Sequence, residues 1–314
     1  MEKYYVGIDL GGTFIKGGIV TKDGEIVCQD KVPTEVEKGN DRVAENIAKL
    51  TETLLQKANV SKSNIVGIGL GSPGMIDSKK GVVVFSANCY MENCPLADMV
   101  SAKIQLPVKI ANDANVAALG EVKFGAAKGK EDVVMITLGT GVGGGVVANG
   151  QLMEGNKSAG AELGHMSVVA DGETCSCGRK GCMEAYSSAT ALIRDTKRAM
   201  QANKKSKMWE IGDLSNVTGK TAFDYKGADA DAKAVVERYI RMLAVGLTNF
   251  ANIFRPEVII LGGGVCAQGD ELVKPVQALL NEDIFAGSRG PQVEIVTATL
   301  GNSAGLLGAA ALWM

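Results

Sequence analysis

Two glycine turns and one cysteine cluster contain the residues whose types and spacing could do chemistry. In Gly7-Ile8-Asp9-Leu10-Gly11-Gly12-Thr13 an acid and a hydroxyl flank a turn whose glycines let backbone N–H groups approach a phosphate. Asp9 is placed to hold Mg²⁺ through water. Much later, Ile136-Thr137-Leu138-Gly139-Thr140-Gly141-Val142-Gly143-Gly144-Gly145 repeats the design of strand, glycine turn with threonine, strand. Each turn alone suits an ordinary hairpin, but the near-repetition predicts two halves facing one nucleotide. Gly139, Gly141 and Gly144 also spell G-x-G-x-x-G, with Glu162 near the spacing of a ribose-binding acid. A dinucleotide fold needs a helix to start within those glycines. Here Gly145-Val146-Val147-Ala148-Asn149-Gly150 is β-branched and ends in an Asn-Gly turn signal, which rejects a dehydrogenase.

His165 is the chain's single histidine, and Cys175, Cys177 and Cys182 follow it as His-x9-Cys-x-Cys-x4-Cys. Four such ligands suit tetrahedral Zn²⁺, and Gly178 and Gly181 supply the tight turns a chelating loop needs. The alternative is a loop of free thiols. Cys28, Cys89, Cys94 and Cys266 are dispersed, core-type residues.

The elements that must position these groups alternate. Residues 4–10 and 15–20, with a turn at Lys22-Asp23-Gly24, read as hairpin-connected strands. Val43, Ile47, Leu50 and Leu54 mark a helix over 41–60, with Asn40 or Asp41 placed to cap it. Strands follow at 65–70 and 108–111, and Asn112-Asp113 caps a helix through Val116, Leu119 and Val122. Residues 133–147 read as strand, turn, strand, and 187–203 and 235–254 as helices, the second stopped at Arg255-Pro256. A strand at 258–261 ends in Gly262-Gly263-Gly264, another nucleotide turn. Residues 204–231 are polar and weakly periodic and read as a surface insertion. Alternating strands and helices predict an α/β fold, and 314 residues suffice for two domains, each with its own core.

A net charge of -2 offers no global field for a polyanion, so nucleic acid is not an expected partner and phosphate recognition must be local. Two uncharged stretches, 133–153 and 295–314, have roughly membrane-spanning length, yet glycines and polar residues break both. The first residues lack the basic start and apolar stretch of a signal peptide. A cytoplasmic protein is expected, in which disulfides are disfavoured.

On these residues the chain resembles the superfamily of actin, heat-shock chaperones and sugar kinases (ASKHA). Residues 7–13 resemble its first phosphate loop, 136–145 its second, and Ile260-Leu261-Gly262-Gly263-Gly264-Val265 its adenosine loop. Glu162-Leu163-Gly164-His165, the cysteine cluster and Gly181-Cys182-Met183-Glu184-Ala185-Tyr186 are similar to the signature of the ROK family of sugar kinases. The likeness runs from Gly7 to the tail Ala298-x-Leu300-Gly301-x-x-Ala304-Gly305-x-x-Gly308-Ala309-Ala310.

The resemblance implies an actin-like (ribonuclease H-like) two-domain α/β ATPase fold with an interdomain active-site cleft. Residues 1–115, completed by a C-terminal helix at about 300–314, would form the smaller domain, and 116–299 the larger one with the zinc loop. It implies ATP-dependent phosphorylation of a hexose, first glucose to glucose 6-phosphate in glycolysis, by a homodimer or dimer of dimers. Allose, mannose, fructose, N-acetylglucosamine and N-acetylmannosamine are handled within the family, and a non-catalytic sugar sensor is the other alternative. By position, Asn88, Asn112, Asp113, Glu162, His165 and Glu184 would bind sugar, with Asp113 the general base. Asp9, Gly11, Gly12, Thr13, Lys16, Thr140, Gly141, Gly263 and Gly264 would bind ATP and Mg²⁺, and His165, Cys175, Cys177 and Cys182 would bind Zn²⁺.

One departure stands out. Where many ROK glucokinases carry Asn-Leu and then an aromatic, this chain has Asn88-Cys89-Tyr90-Met91-Glu92, which predicts a rebuilt edge of the sugar pocket. Repressors of the family carry a helix-turn-helix before the first phosphate loop. Six residues precede Gly7 here and no basic stripe replaces such helices, so DNA reading is not expected.

Overall fold

Apolar alternation and tight turns build the first sheet of the structure, a computed structural model that describes residues 2–314. β1 (Tyr4–Leu10), β2 (Phe14–Thr21) and β3 (Ile26–Pro33) form an antiparallel meander. After α1 (Asn40–Ala58), β4 (Ile65–Ser72) pairs parallel with β1. A small antiparallel sheet of β5 (Met75–Asp77), β6 (Val82–Ser86) and β7 (Met91–Cys94) precedes α2 (Leu96–Ile104). β8 (Val108–Asn112) then joins β4 in parallel, giving the order β3-β2-β1-β4-β8, and leads into α3 (Asp113–Phe124).

The second large sheet opens with β9 (Val133–Leu138), β10 (Val142–Ala148) and β11 (Gln151–Leu152). The β10–β11 hairpin turns on Asn149-Gly150, both at positive φ, as an Asn-Gly pair allows. Helices α4 (Glu184–Ser187), α5 (Ala189–Ala202), α6 (Thr221–Tyr225) and α7 (Ala230–Phe254) follow. β12 (Val258–Gly262), α8 (Asp270–Asp283), β13 (Glu294–Thr297) and α9 (Ala304–Ala311) complete the chain. The order is β11-β10-β9-β12-β13, with β12 parallel to both its neighbours. Both sheets therefore place three successive strands in reverse order beside two later ones, the repeat that the paired glycine turns announce. The chain divides into one unit of Met1–Glu131, Gly145–Ala161 and Thr299–Met314, and a second of Asp132–Gly144 and Glu162–Ala298. Among the described residues no helix is long and apolar enough to cross a membrane.

In the first unit the period of β1 decides what packs where. Val6, Ile8 and Leu10 join the buried α1 stripe of Val43, Ile47, Leu50 and Leu54, whereas Gly7 faces α9. The tail helix needs small partners because its backbone lies directly on the sheet: a Cβ on Gly7 or Gly69 would overlap the carbonyl of Leu306 or Ala309. Where α9 meets α3, a Cβ on Gly308 would overlap Val116 O and sit 2.9 Å from Gly120 N. Backbone cannot step aside as a flexible side chain can. Gly308→Ala is therefore expected to cost about 3 kcal/mol, the upper end of ordinary overpacking, seen as a lower urea midpoint with an unchanged slope.

Three local expectations are corrected. α1 is capped by Gly39, and neither Asn40 nor Asp41 supplies a capping side chain. Residues 204–231 are not a surface insertion, since Met208, Val217 and Phe223 are buried and α6 lies within them. α7 begins at Ala230 because Asp229 caps it, accepting from Asp231 N and Ala232 N at 2.9 Å each. Its other oxygen accepts from Ser206 Oγ (2.8 Å) and Lys207 N (2.6 Å). Burial opposes the charge, but these hydrogen bonds outweigh it and hold the carboxyl below its ordinary range. Asp229→Ala should cost about 1–2 kcal/mol at neutral pH. A depressed folded pKa contributes stability above the unfolded value, so the gap between variant and parent should close as pH falls through the folded Asp229 pKa. Urea titrations at several pH values test this.

Candidate active site

In the first unit the candidate groups gather at the carboxyl ends of parallel strands, where open α/β sheets bind ligands. Asp9 on β1 is in register with Gly71 on β4, which is in register with Ala111 on β8. With strands spaced about 4.8 Å, the ends of β1 and β8 lie about 10 Å apart across one strand. Asp9 faces Lys16 at 3.7 Å, and Gly305 of α9 comes close enough that a Cβ there would be 3.2 Å from the Asp9 carboxyl carbon. The turn after β1 closes with Gly11 N donating to Phe14 O (3.0 Å). Thr34 ties it down from β3, its hydroxyl donating to Gly11 O (2.6 Å) and its N–H to Thr13 O (2.9 Å). A Cβ on Gly12 would meet Asn88 O at 2.8 Å, so the β6–β7 turn rests on the glycine turn.

At the end of β8, Asn112 takes the cap of α3, its Oδ1 accepting from Ala114 N (2.9 Å) and Asn115 N (3.3 Å). Its Nδ2 donates to Gly74 O (3.0 Å). Asp113 is thus the first helical residue, its Oδ1 accepting from Ala114 N at 2.9 Å and its carboxylate at the positive end of the helix. Cys89 is buried near it: burial raises the thiol pKa, a hydrogen bond with Ser86 opposes the rise, and the Asp113 charge adds to it.

In the second unit Gly139-Thr140-Gly141 turns β9 into β10, with Gly139 N donating to Gly141 O (3.0 Å). The segment Glu162–His165 lies on β10 because glycines admit it: Leu163 packs over Gly144, and a Cβ on Gly164 would overlap Val142 O. The Gly262-Gly263-Gly264 turn backs onto Leu138 in the same way, with Gly263 at φ 89.

The cysteine loop reverses over Cys175–Arg179, with Cys175 N donating to Arg179 O (2.8 Å) and Gly178 at φ 85. Isolated bridges Thr174–Lys180 and Ser167–Cys182 close its base. The ligand atoms of His165, Cys175, Cys177 and Cys182 all lie within 4.8 Å of one another. His165 Nδ1 is 3.6 Å from Cys175 Sγ, and Cys177 Sγ is 3.8 Å from Cys182 Sγ. A tetrahedron with Zn–S bonds near 2.3 Å has edges of about 3.8 Å, so these four donors fit a structural zinc. Burial pushes the Cys182 thiol up to about 12, with hydrogen bonds to Cys177 and Cys175 adding to the rise, and burial raises Cys175 too. A cation must displace those protons, so its affinity weakens as pH is lowered.

Glu184 joins this loop to the turn. Its Oε1 accepts from Ser176 Oγ (2.6 Å) and Cys175 Sγ (3.4 Å), and its Oε2 from Val142 N (3.0 Å). Burial opposes the charge, but those bonds bring the carboxyl below its ordinary range.

A model of the ROK family matches residues 5–314. The chain belongs to the ROK family. It is 39% identical over 311 residues to a glucokinase of Halalkalibacterium halodurans, covering 98% of this chain and 94% of the relative. It is 38% identical over 310 residues to a glucokinase of Thermotoga maritima, covering 98% and 96%. Among solved structures it is similar to a ROK family glucokinase from Streptomyces griseus in complex with glucose and AMPPNP, with a TM-score of 0.78 and 33% identity over 98% of both chains. The mixed α/β architecture is the actin-like ATPase fold.

Within this ROK chain the described geometry separates the expected residues into two groups. Asp9, Gly11, Gly12, Thr13, Lys16, Asn88, Asn112 and Asp113 belong to the first unit. Thr140, Gly141, Glu162, His165, Cys175, Cys177, Cys182, Glu184, Gly263 and Gly264 belong to the second. Sequence reasoning missed Thr34, Gly74, Ser176 and Thr190, whose hydroxyl donates to Thr140 O at 2.7 Å. Ser176 carries a weak signal, sitting between two candidate ligands, whereas a lone threonine outside any motif carries none.

Proposed function

We propose that the hexose phosphorylated by this ROK kinase is glucose, with ATP as donor, glucose 6-phosphate as product and Asp113 as general base. The observation that carries the reading is the register Asp9–Gly71–Ala111, which brings the acid of the first glycine turn and the Asn112-Asp113 pair to the same carboxyl-terminal end of the sheet. Asn112 and Asp113 are held before substrate arrives, by Gly74 O and Ala114 N respectively. As the sugar hydroxyl oxygen bonds to the γ-phosphorus and the bond to ADP breaks, the hydroxyl proton passes to the Asp113 carboxylate. The loose transition state asks for positioning above all.

In this reading Gly11, Gly12, Thr13, Lys16, Thr140 and Gly141 bind phosphates, and Gly263 and Gly264 the adenosine. Asp9 would hold Mg²⁺, which would supply neutralisation of phosphate charge. Asn88, Asn112, Glu162, His165 and Glu184 pair with sugar hydroxyls, which need both donors and acceptors. His165 has Nδ1 toward the cysteines, so if Nδ1 were to ligate Zn²⁺, its Nε2 would be an N–H donor of defined tautomer. A cytoplasmic homodimer or dimer of dimers feeding glycolysis completes the proposal.

The sugar assignment is supported by the glucokinases named above. ATP consumption by the purified protein with glucose, allose, mannose, fructose, N-acetylglucosamine and N-acetylmannosamine tests it. Glucose should give the highest kcat/KM. A higher value for another sugar reassigns the substrate, and no consumption with any of them indicates a sensor.

A further inference from the structure

The two glycine turns share a device outside their motifs. In the second unit the Thr190 hydroxyl donates to Thr140 O at 2.7 Å, and Ala189 N donates to Gly139 O at 2.8 Å. In the first, the fully buried Thr34 hydroxyl donates to Gly11 O at 2.6 Å. A trans peptide points its C=O and the following N–H in opposite directions. Holding the carbonyls of Gly139 and Thr140 toward the start of α5 therefore turns the N–H groups of Thr140 and Gly141 away from it, as two successive donors. Holding Gly11 O toward Thr34 does the same for Gly12 N–H. Successive N–H groups presented together form an anion-binding concavity.

We propose that Thr190 and Thr34 are positioning residues for the nucleotide, each orienting, through one carbonyl, a backbone N–H that receives a phosphate oxygen. The proposal rests on the reading that these turns take the phosphates of ATP. It explains why each turn, flexible by composition, needs an external clamp: glycine gains nothing from its own side chain and loses most conformational entropy on ordering. Thr190 sits in the first turn of α5, and Glu184, at the start of α4, grips the far side of the same turn through Val142 N, so the turn is held at Gly139, Thr140 and Val142.

Thr190→Val and Thr34→Val remove the donor and keep the shape. Each is expected to weaken AMPPNP binding by calorimetry, and to raise KM for ATP, about threefold to tenfold, the range for one lost hydrogen bond. Sugar binding should be unchanged, and Thr→Ser at either position should bind within twofold of the parent. A merely structural role would lower stability without this split between nucleotide and sugar. Native AMPPNP affinity in both valine variants overturns the proposal. Amide spectra of threonine- and glycine-labelled parent protein separate the two levels. If the Thr140 and Gly141 signals do not move on adding AMPPNP, the phosphate reading of that turn fails and the proposal with it. If they move and the valine variants still bind normally, only the positioning role is lost.

Discussion

Asp113→Asn is expected to slow phosphoryl transfer about 10²–10⁴-fold, the span for loss of a general base, while glucose binding stays within a few-fold of the parent. The substitution isolates proton transfer because the amide oxygen can keep accepting from Ala114 N, now 2.9 Å from Oδ1, so the start of α3 is preserved. Asn112, which carries the cap itself, is untouched. What disappears is a group able to take the hydroxyl proton. Calorimetry with glucose and a coupled turnover assay measure the two halves. Turnover within tenfold of the parent, about 1.4 kcal/mol of barrier, would remove Asp113 from the base role.

Cys177→Ala is expected to cost both bound zinc and most kinase activity. Cys177 is the informative ligand because it is exposed, whereas Cys175 and Cys182 are buried and their truncation would leave cavities that destabilise for another reason. Removing one of four ligands leaves an open and much weaker site. The consequence reaches the chemistry through two contacts. His165 loses the partner that fixes its tautomer, and the loop that hands Ser176 Oγ to Glu184 loses its anchor. Glu184 then holds Val142 N less firmly. Metal analysis and kinetics decide: one equivalent of zinc in the variant, or full activity without it, sinks the coupling.

The parts legible in the sequence are those whose physical demand is met within a few residues. The glycine turns after β1 and β9, the Asn-Gly hairpin at 149–150, and a histidine followed closely by three cysteines all declare themselves locally. So does the stripe of Val43, Ile47, Leu50 and Leu54, which requires burial wherever the chain goes. The strands β5 to β7 gave no such period, because Met75 and Phe85 are exposed apolar residues on a small sheet with little core of its own. Residues 204–231 hid their buried Met208, Val217 and Phe223 among turns, each apolar anchor standing alone.

Tertiary structure decided the rest wherever a polar group's partner is distant in the chain. Whether Asn112 or Asp113 caps α3 depends on Gly74 O, which fixes the asparagine. Glu121 is fully buried, a place a charged residue rarely takes. It is admitted because Ala126 N, Thr299 N and Leu300 N all donate to it, and two of those arrive from the chain's far end. Thr34 and Thr190 are of the same kind. A sequence determines which groups can donate and accept, but hydrogen bonds are short and directional, so which carbonyl a hydroxyl reaches is known only once packing has brought the two within 3 Å.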